Sequence, residues 1–527
     1  MVEEAVKSAG SQSGLSRRTV MKGAAWTVPA LMVATAAPAY ALSCQPGTYS
    51  GIGRGKFLTG GLFNQDLDTL ASVNGVIASA PTYVSEPGLV HDGASGTSHT
   101  GQNGLNPDTH GGPLDLTLLS TVNLTATGVA TTLSALLAGL VDADTGAVNQ
   151  FGSVTSGAST SVSLGASGAV TDAGVVDLEA AGGSYPDVAS INLKTLLTPL
   201  LGGPTAAQLA DIADLQLKVG AVAGRASLDY VDCPPQLGRD YAVAHLLLEL
   251  NSGLVSGLTA AIVPLLNAIL NDPLLNLLLP VRLVPGIITN GYDSQNPIAA
   301  ANPPKPLPEA GPIRANLATG DVVVDLAVLL GGTSASPFGS GYQPWLSQRE
   351  PNSILFVDYP IPSGTITTFL NDLVTGITDR IFKAVQIDVA IVGTDWKPLD
   401  DAGLAGEAVA TVLTPLINVL LAPGGAIYLL LSAISDLLAT VFDLLKNVLN
   451  VMLNVQNAPE ENNNPATGPG WRPAPARFTS KAAFTAERFD VAALGLHAVN
   501  APANQNDVVD LYLARGSVGR SQLLSTP

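Results

Sequence analysis

The 527-residue sequence predicts an α+β protein, an antiparallel β-sheet or sandwich scaffold carrying two amphipathic helical-hairpin insertions. Three observations carry that expectation. Apolar residues alternate with period 2 early and late in the chain, as at Leu215, Leu217, Val219 and Ala221. Two blocks, from about Asp240 and from about Leu404, change to a helical period. Across the whole chain, 54 glycines and 37 prolines punctuate the sequence into many short elements.

Residues 1–41 read as a twin-arginine signal peptide. Ser16-Arg17-Arg18-Thr19-Val20-Met21-Lys22 precedes an apolar run to Ala37 that has no polar face and is broken by Pro29. Val20 and Met21 stand where Phe and Leu are usual. Ala39-Tyr40-Ala41 supplies small residues for cleavage after Ala41. The expectation is export of an already folded chain to an extracellular location, secreted or held at the cell surface.

Residues 42–239 form the β-rich region, with short alternating patches between Gly-rich turns. Gly51-Ile52-Gly53-Arg54-Gly55-Lys56 superficially resembles a phosphate loop. Ser50 stands where the first glycine belongs and Phe57 where Ser or Thr would hold magnesium, so these glycines read as a tight or bulged strand. Residues 240–295 form the first helical insertion. Leu254, Leu258, Ile262, Leu265 and Ile269 make its apolar stripe, away from Ser252, Ser256, Thr259, Asn267 and Asn271, and Asp272-Pro273 and Pro280 end it.

Residues 296–400 begin with an extended Pro-rich loop at 297–312. A β-hairpin over 313–330 follows, turning at Thr319-Gly320-Asp321, then a helix at 367–385 and a strand at 386–392. Residues 401–458 are the second helical insertion, predicted to run from Leu404 to Val455 with a break at Pro423-Gly424-Gly425. Asp436, Asp443, Asn447, Asn450 and Asn454 form its polar face. Residues 459–527 are a polar loop and two closing strands, 489–499 and 509–513.

The formal net charge is −18, and charged residues make up 13% of the chain, about half the ~25% typical of soluble domains. Without residues 1–41 the chain is more acidic still. Such a field, with no Lys/Arg cluster to offset it, excludes nucleic acid and disfavours anionic lipid heads. Apolar residues reach 46%, yet Asn, Asp or Pro interrupts every long apolar stretch after the signal, so no transmembrane segment is expected in the mature chain. The partners left are envelope components or a second copy of the chain. In an exported protein, Cys44 and Cys233 predict one disulfide. The rival use of Cys44, lipidation, meets Ala41 where a lipobox wants Leu.

His91, Asp92, His99, Asp108 and His110 place three of the five histidines in one loop-like stretch. Imidazoles and carboxylates at short separations bind zinc or copper, but the spacing matches neither H-E-x-x-H nor a paired-Cys site. The sequence therefore assigns no metal, cofactor or catalytic residue; His91, His99 and His110 are the residues that would hold a metal. Asp142-Ala143-Asp144-Thr145-Gly146 reads as a turn, because its Gly falls one position early for a calcium loop and no closing Glu follows. No G-x-S-x-G elbow is present. A triad assembled from distant residues would use His245 or His497, and His245 lies in an apolar run that reads as core.

The stretch Lys56-Phe57-Leu58-Thr59-Gly60-Gly61-Leu62-Phe63, continuing from Asp66 to Val76, resembles the N-terminal segment of actinobacterial choice-of-anchor G family proteins. Leu511-Tyr512-Leu513-Ala514-Arg515-Gly516-Ser517-Val518-Gly519 is similar to their C-terminal segment. The resemblance implies a surface or secreted protein of Gram-positive bacteria with no catalytic residues to transfer. The sequence departs from the pattern by ending in Arg520 to Pro527 without L-P-x-T-G, apolar tail or basic terminus. The expected function is a non-enzymatic structural or adhesive role in a Gram-positive envelope. The alternative is a secreted hydrolase or binding protein acting on envelope lipid or polysaccharide.

Overall fold

A computed structural model describes residues 48–63, 65–69, 74–91, 98–100, 107–114, 123–126, 129–132, 148–156, 161–177, 187–198, 212–229, 236–271, 280–296, 298–332, 344–390, 395–422, 424–457, 488–499, 507–519 and 522–525. The signal segment with Arg17, Arg18 and Ala41, both cysteines, Asp92 and the turn at 142–146 lie outside them.

Two stacked sheets form the scaffold. Their strands, in chain order, are β1 (Thr48–Leu62), β2 (Gly75–Ala80), β3 (Leu89–Val90), β4 (Ser98–Thr100), β5 (Asp108–Pro113), β6 (Asn149–Ser156), β7 (Ser161–Gly168), β8 (Val222–Asp229), β9 (Gln236–Val243), β10 (Leu449–Gln456), β11 (Phe489–Val499) and β12 (Asp507–Val518). One sheet has the order β10-β11-β12-β1-β2-β3, with Ser353–Ile354 outside β10 and two short strands also pairing β1; the other has the order β9-β8-β7-β6-β5-β4. Pairing is antiparallel except between β2 and β3. The chain thus closes its first strand against its last long one, Arg54 opposite Ser517 and Lys56 opposite Arg515.

Small residues set the distance between the sheets. Cα atoms of β1 lie within 8 Å of those of β6 and β7, and β12 approaches β7 and β8 as closely; ordinary stacked sheets sit ~10 Å apart. A Cβ on Gly152 would lie 2.8 Å from the Gly53 carbonyl oxygen, and one on Gly165 would overlap the carbonyl oxygens of Arg54 and Ser517. Alternation in β1 therefore turns Gly51, Gly53 and Gly55 toward the second sheet and leaves Arg54 and Lys56 on the opposite face.

A third, five-stranded antiparallel sheet has the order 187–192, 212–220, 246–252, 321–325, 313–315. Leu215, Leu217, Val219 and Ala221 are buried, as their alternation predicts. The helices α1 (Gly253–Leu270), α2 (Thr365–Ala384), α3 (Gly403–Leu421) and α4 (Ala426–Asn447) join this sheet to the sandwich through one large apolar core. Each fully buried Leu or Ile in it contributes about 1.5–3 kcal/mol. In α1 the buried stripe is Val255, Leu258, Ile262, Leu266 and Leu270, rotated slightly from the predicted one so that Leu254 and Leu265 are half-buried.

The hairpin forms, 313–315 against 321–325, but its second strand stops where the Asp325 carboxylate accepts the N–H groups of Ala327 and Val328 and starts a one-turn helix. The Pro-rich loop is fastened by buried Arg380 of α2, which donates to the carbonyls of Ile288 (3.2 Å), Thr289 (3.0 Å) and Lys305 (2.7 Å). The second helical block ends at Asn447, and 449–456 is a strand, which corrects the expectation of helix to Val455. Leu449, Val451, Leu453 and Val455 alternate, and pairing with β11 buries them in the sheet. Asn450 and Asn454 are therefore strand residues and not part of a helical polar face.

Both helices of the hairpin α3–α4 are long and apolar enough to cross a membrane by length and composition. Their burial differs. In α4, 44% of the apolar window is buried against α1, α2 and β10, whereas in α3 only 24% is, through Gly406, Val409, Leu413 and Ile417. Leu404 (85% exposed), Val412 and Val419 of α3 and Tyr428 and Leu429 of α4 face solvent.

Candidate functional site

On the outer face of the first sheet, a cavity of about 350 Å³ is lined by Arg54, Lys56, Arg488 and Arg515 together with Asp66, Asp68 and Glu86. Register builds it. Asp490, Ser517 and Arg54 occupy one row across β11, β12 and β1, with Arg515 and Lys56 paired in a neighbouring row on the same face. The loop between β2 and β3 brings in Glu86. Arg54 Nε donates to Glu86 Oε2 at 2.9 Å, a second Arg54 nitrogen donates to Glu86 Oε1, and a third to the Gly519 carbonyl. Arg488 Nε donates to Ser517 Oγ at 3.1 Å, with Nη1 3.4 Å from Glu86 Oε2. Arg515 donates from Nε (3.0 Å) and Nη2 (2.7 Å) to Asp490 Oδ1.

The electrostatics follow from burial among opposite charges. Burial alone raises Glu86, but the adjacent Arg54, with Arg488 and Arg515 behind it, outweighs this and holds Glu86 below its ordinary value. Asp490 is lowered in the same way, with Arg515 and Arg488 overcoming its burial. Burial, with repulsion from Arg54 and Arg515, brings Arg488 down to about 10. Carboxylates held ionised beside guanidinium groups are poor proton donors. The arrangement is a charged latch that pins the loop between β2 and β3 to the sheet.

The second cluster contains predicted residues. His110 Nε2 lies 2.7 Å from Asp108 Oδ1, His91 Nδ1 lies 3.8 Å from Asp108 Oδ2, and all three residues are buried. The Asp108 Oδ2 atom accepts the Ser79 N–H at 2.7 Å, and His91 Nε2 lies 2.6 Å from the Val84 carbonyl oxygen. His99 pairs directly with His110 in the β4–β5 register, and its side chain lies outside the described residues. Of the expected set His91, His99 and His110, the structure brings His91 and His110 together, with Asp108 between them.

The candidate triad histidines stand elsewhere. The His497 ring has Nδ1 3.2 Å from Asp510 Oδ1 and packs edge-on against Tyr512, within the sheet. His245 is a buried residue against Gly220, as its apolar neighbours predict. The latch residues were missed in the sequence. Their one local signal is the alternation of glycine with cation in Gly53-Arg54-Gly55-Lys56, which marks a strand with a small face and a charged face.

Residues 53–278 match a family model described as a domain of unknown function (DUF8394). The match covers less than half of the chain, including Arg54, Lys56, Glu86 and the histidine cluster but not β10, β11 or β12. No curated protein and no solved structure matches the chain.

Proposed function

We propose that the chain is an exported, non-enzymatic protein with a structural or adhesive role in a Gram-positive envelope, attached through the hairpin α3–α4. The observation that carries this reading is the solvent face of the hairpin, where Leu404, Val412, Val419, Tyr428 and Leu429 are exposed. Several exposed apolar side chains on one helical hairpin of a folded domain suit an interaction surface. Between Lys397 and Lys446 the sequence has no Lys or Arg, so the surface suits uncharged apolar envelope material and not anionic headgroups. The twin-arginine pattern and the resemblance to choice-of-anchor G proteins support the location. The ionised, guanidinium-paired carboxylates of the latch support a non-catalytic role.

The test is cell fractionation of wild type and a Val419→Glu/Leu429→Glu variant. Both positions are exposed, so the variant folds. Wild type is expected with the envelope and the variant in the medium; equal envelope recovery of both would contradict attachment through the hairpin.

A further inference from the structure

We propose that His91, Asp108 and His110 form a binding site for a divalent transition-metal ion, with zinc as the probe ion. Each residue presents one ligand atom, and the three atoms lie within 4.8 Å of one another. Tetrahedral zinc with bonds of about 2.0–2.1 Å places its ligand atoms ~3.3 Å apart. Asp108 Oδ1 lies 2.7 Å from His110 Nε2 and Asp108 Oδ2 lies 3.8 Å from His91 Nδ1, so the carboxylate stands between the two imidazoles, and shifts of up to about 1.5 Å bring the three ligand atoms to that spacing.

The surroundings orient the donors as metal ligands are oriented. A carbonyl oxygen only accepts, so His91 Nε2, 2.6 Å from Val84 O, carries the proton, and Nδ1 is left with a lone pair. That Nδ1 atom is buried with no hydrogen-bond partner among the described residues, and its residue is 5% exposed. Tyr83 stacks on the His91 ring at 4.4 Å and holds its plane. The Ser79 N–H fixes Asp108 Oδ2. Two imidazoles and one carboxylate favour zinc over magnesium or calcium, which prefer all-oxygen sites.

Local structure supplies the spacing that the sequence motif lacked. Asp108 and His110 are two residues apart on β5 and share a face, while His91 follows β3 at the end of the loop that carries Glu86. The ion would join the second sheet to that loop, and Glu86 already joins the loop to the first sheet. The donor set adds Asp108 to His91 and His110 of the sequence expectation.

The test uses the full chain, stripped with chelator and titrated with zinc alone against a chromophoric competitor, with metal content read by mass spectrometry. One zinc per chain is expected. His91→Phe keeps the stack on Tyr83 and the volume, and should fold without metal while binding zinc at least ~100-fold more weakly, since even outer-shell partners of ligands are worth 10–100-fold. His110→Gln should lose zinc similarly, and His497→Asn, in a separate part of the fold, should retain it. Sub-stoichiometric zinc in the wild type, or undiminished affinity in both His91→Phe and His110→Gln, would overturn the proposal.

Discussion

Gly165 of one sheet faces the carbonyl oxygen of Arg54 of the other so closely that no side chain fits between them. Gly165→Ala should therefore push the sheets apart and cost about 3 kcal/mol or more, read by urea unfolding, because backbone cannot yield as a side-chain tip does. Gly257 in α1 is the contrast, with open space around it. Gly257→Ala should stabilise by about 0.5–1 kcal/mol through helix propensity.

Arg515 and Asp490 form a buried pair whose partners carry several other bonds. Asp490→Asn leaves Arg515 and Arg488 without their buried counter-charge. A loss of about 3–5 kcal/mol is expected, the range for breaking a buried ion pair from one side. A change under about 1 kcal/mol would show that water already reaches the pair.

Acid should weaken the latch. Glu86 and Asp490 have folded pKa values below their unfolded ones, so their contribution is complete above the ordinary carboxylate range and disappears as pH falls through the folded values. Asp240 and Asp325 are pushed up by burial and act with the opposite sign, contributing most when protonated and losing that as pH rises. Unfolding free energies at about pH 7 and about pH 3 should show a loss on acidification that is smaller in Glu86→Gln than in wild type.

Arg380 predicts how the Pro-rich loop is held. Burial brings its pKa down to about 10, so the guanidinium remains charged at neutral pH while it donates to the Thr289 carbonyl and, in the loop, to that of Lys305. Arg380→Met should cost about 2–3 kcal/mol and speed hydrogen exchange at the amides of Lys305 and Leu307, with little change at the sandwich core.

Local pattern made much of the fold legible. The glycine-cation alternation at 51–56, the alternation at 215–221, the turn at Thr319-Gly320-Asp321 and the stripe of α1 each fix an element from neighbours in sequence. The strand 449–456 was read as helix because Asn447, Asn450 and Asn454 also suit a helical period, and only pairing with β11 decides between the two. The latch was not legible. Arg54 and Arg515 are drawn together by pairing β1 with β12 across more than 400 residues, with Arg488 brought by β11 and Glu86 by the β2–β3 loop, and no local period encodes that register. The histidine cluster was half legible, since the residue types were visible and the share of Asp108 was not.

The measurement that bears most directly on the proposed role is the intact mass of the protein recovered from fractionated host cells. The account predicts recovery with the envelope, as a chain beginning at Leu42 and bearing no lipid. A full-length chain confined to the cytoplasm would contradict it.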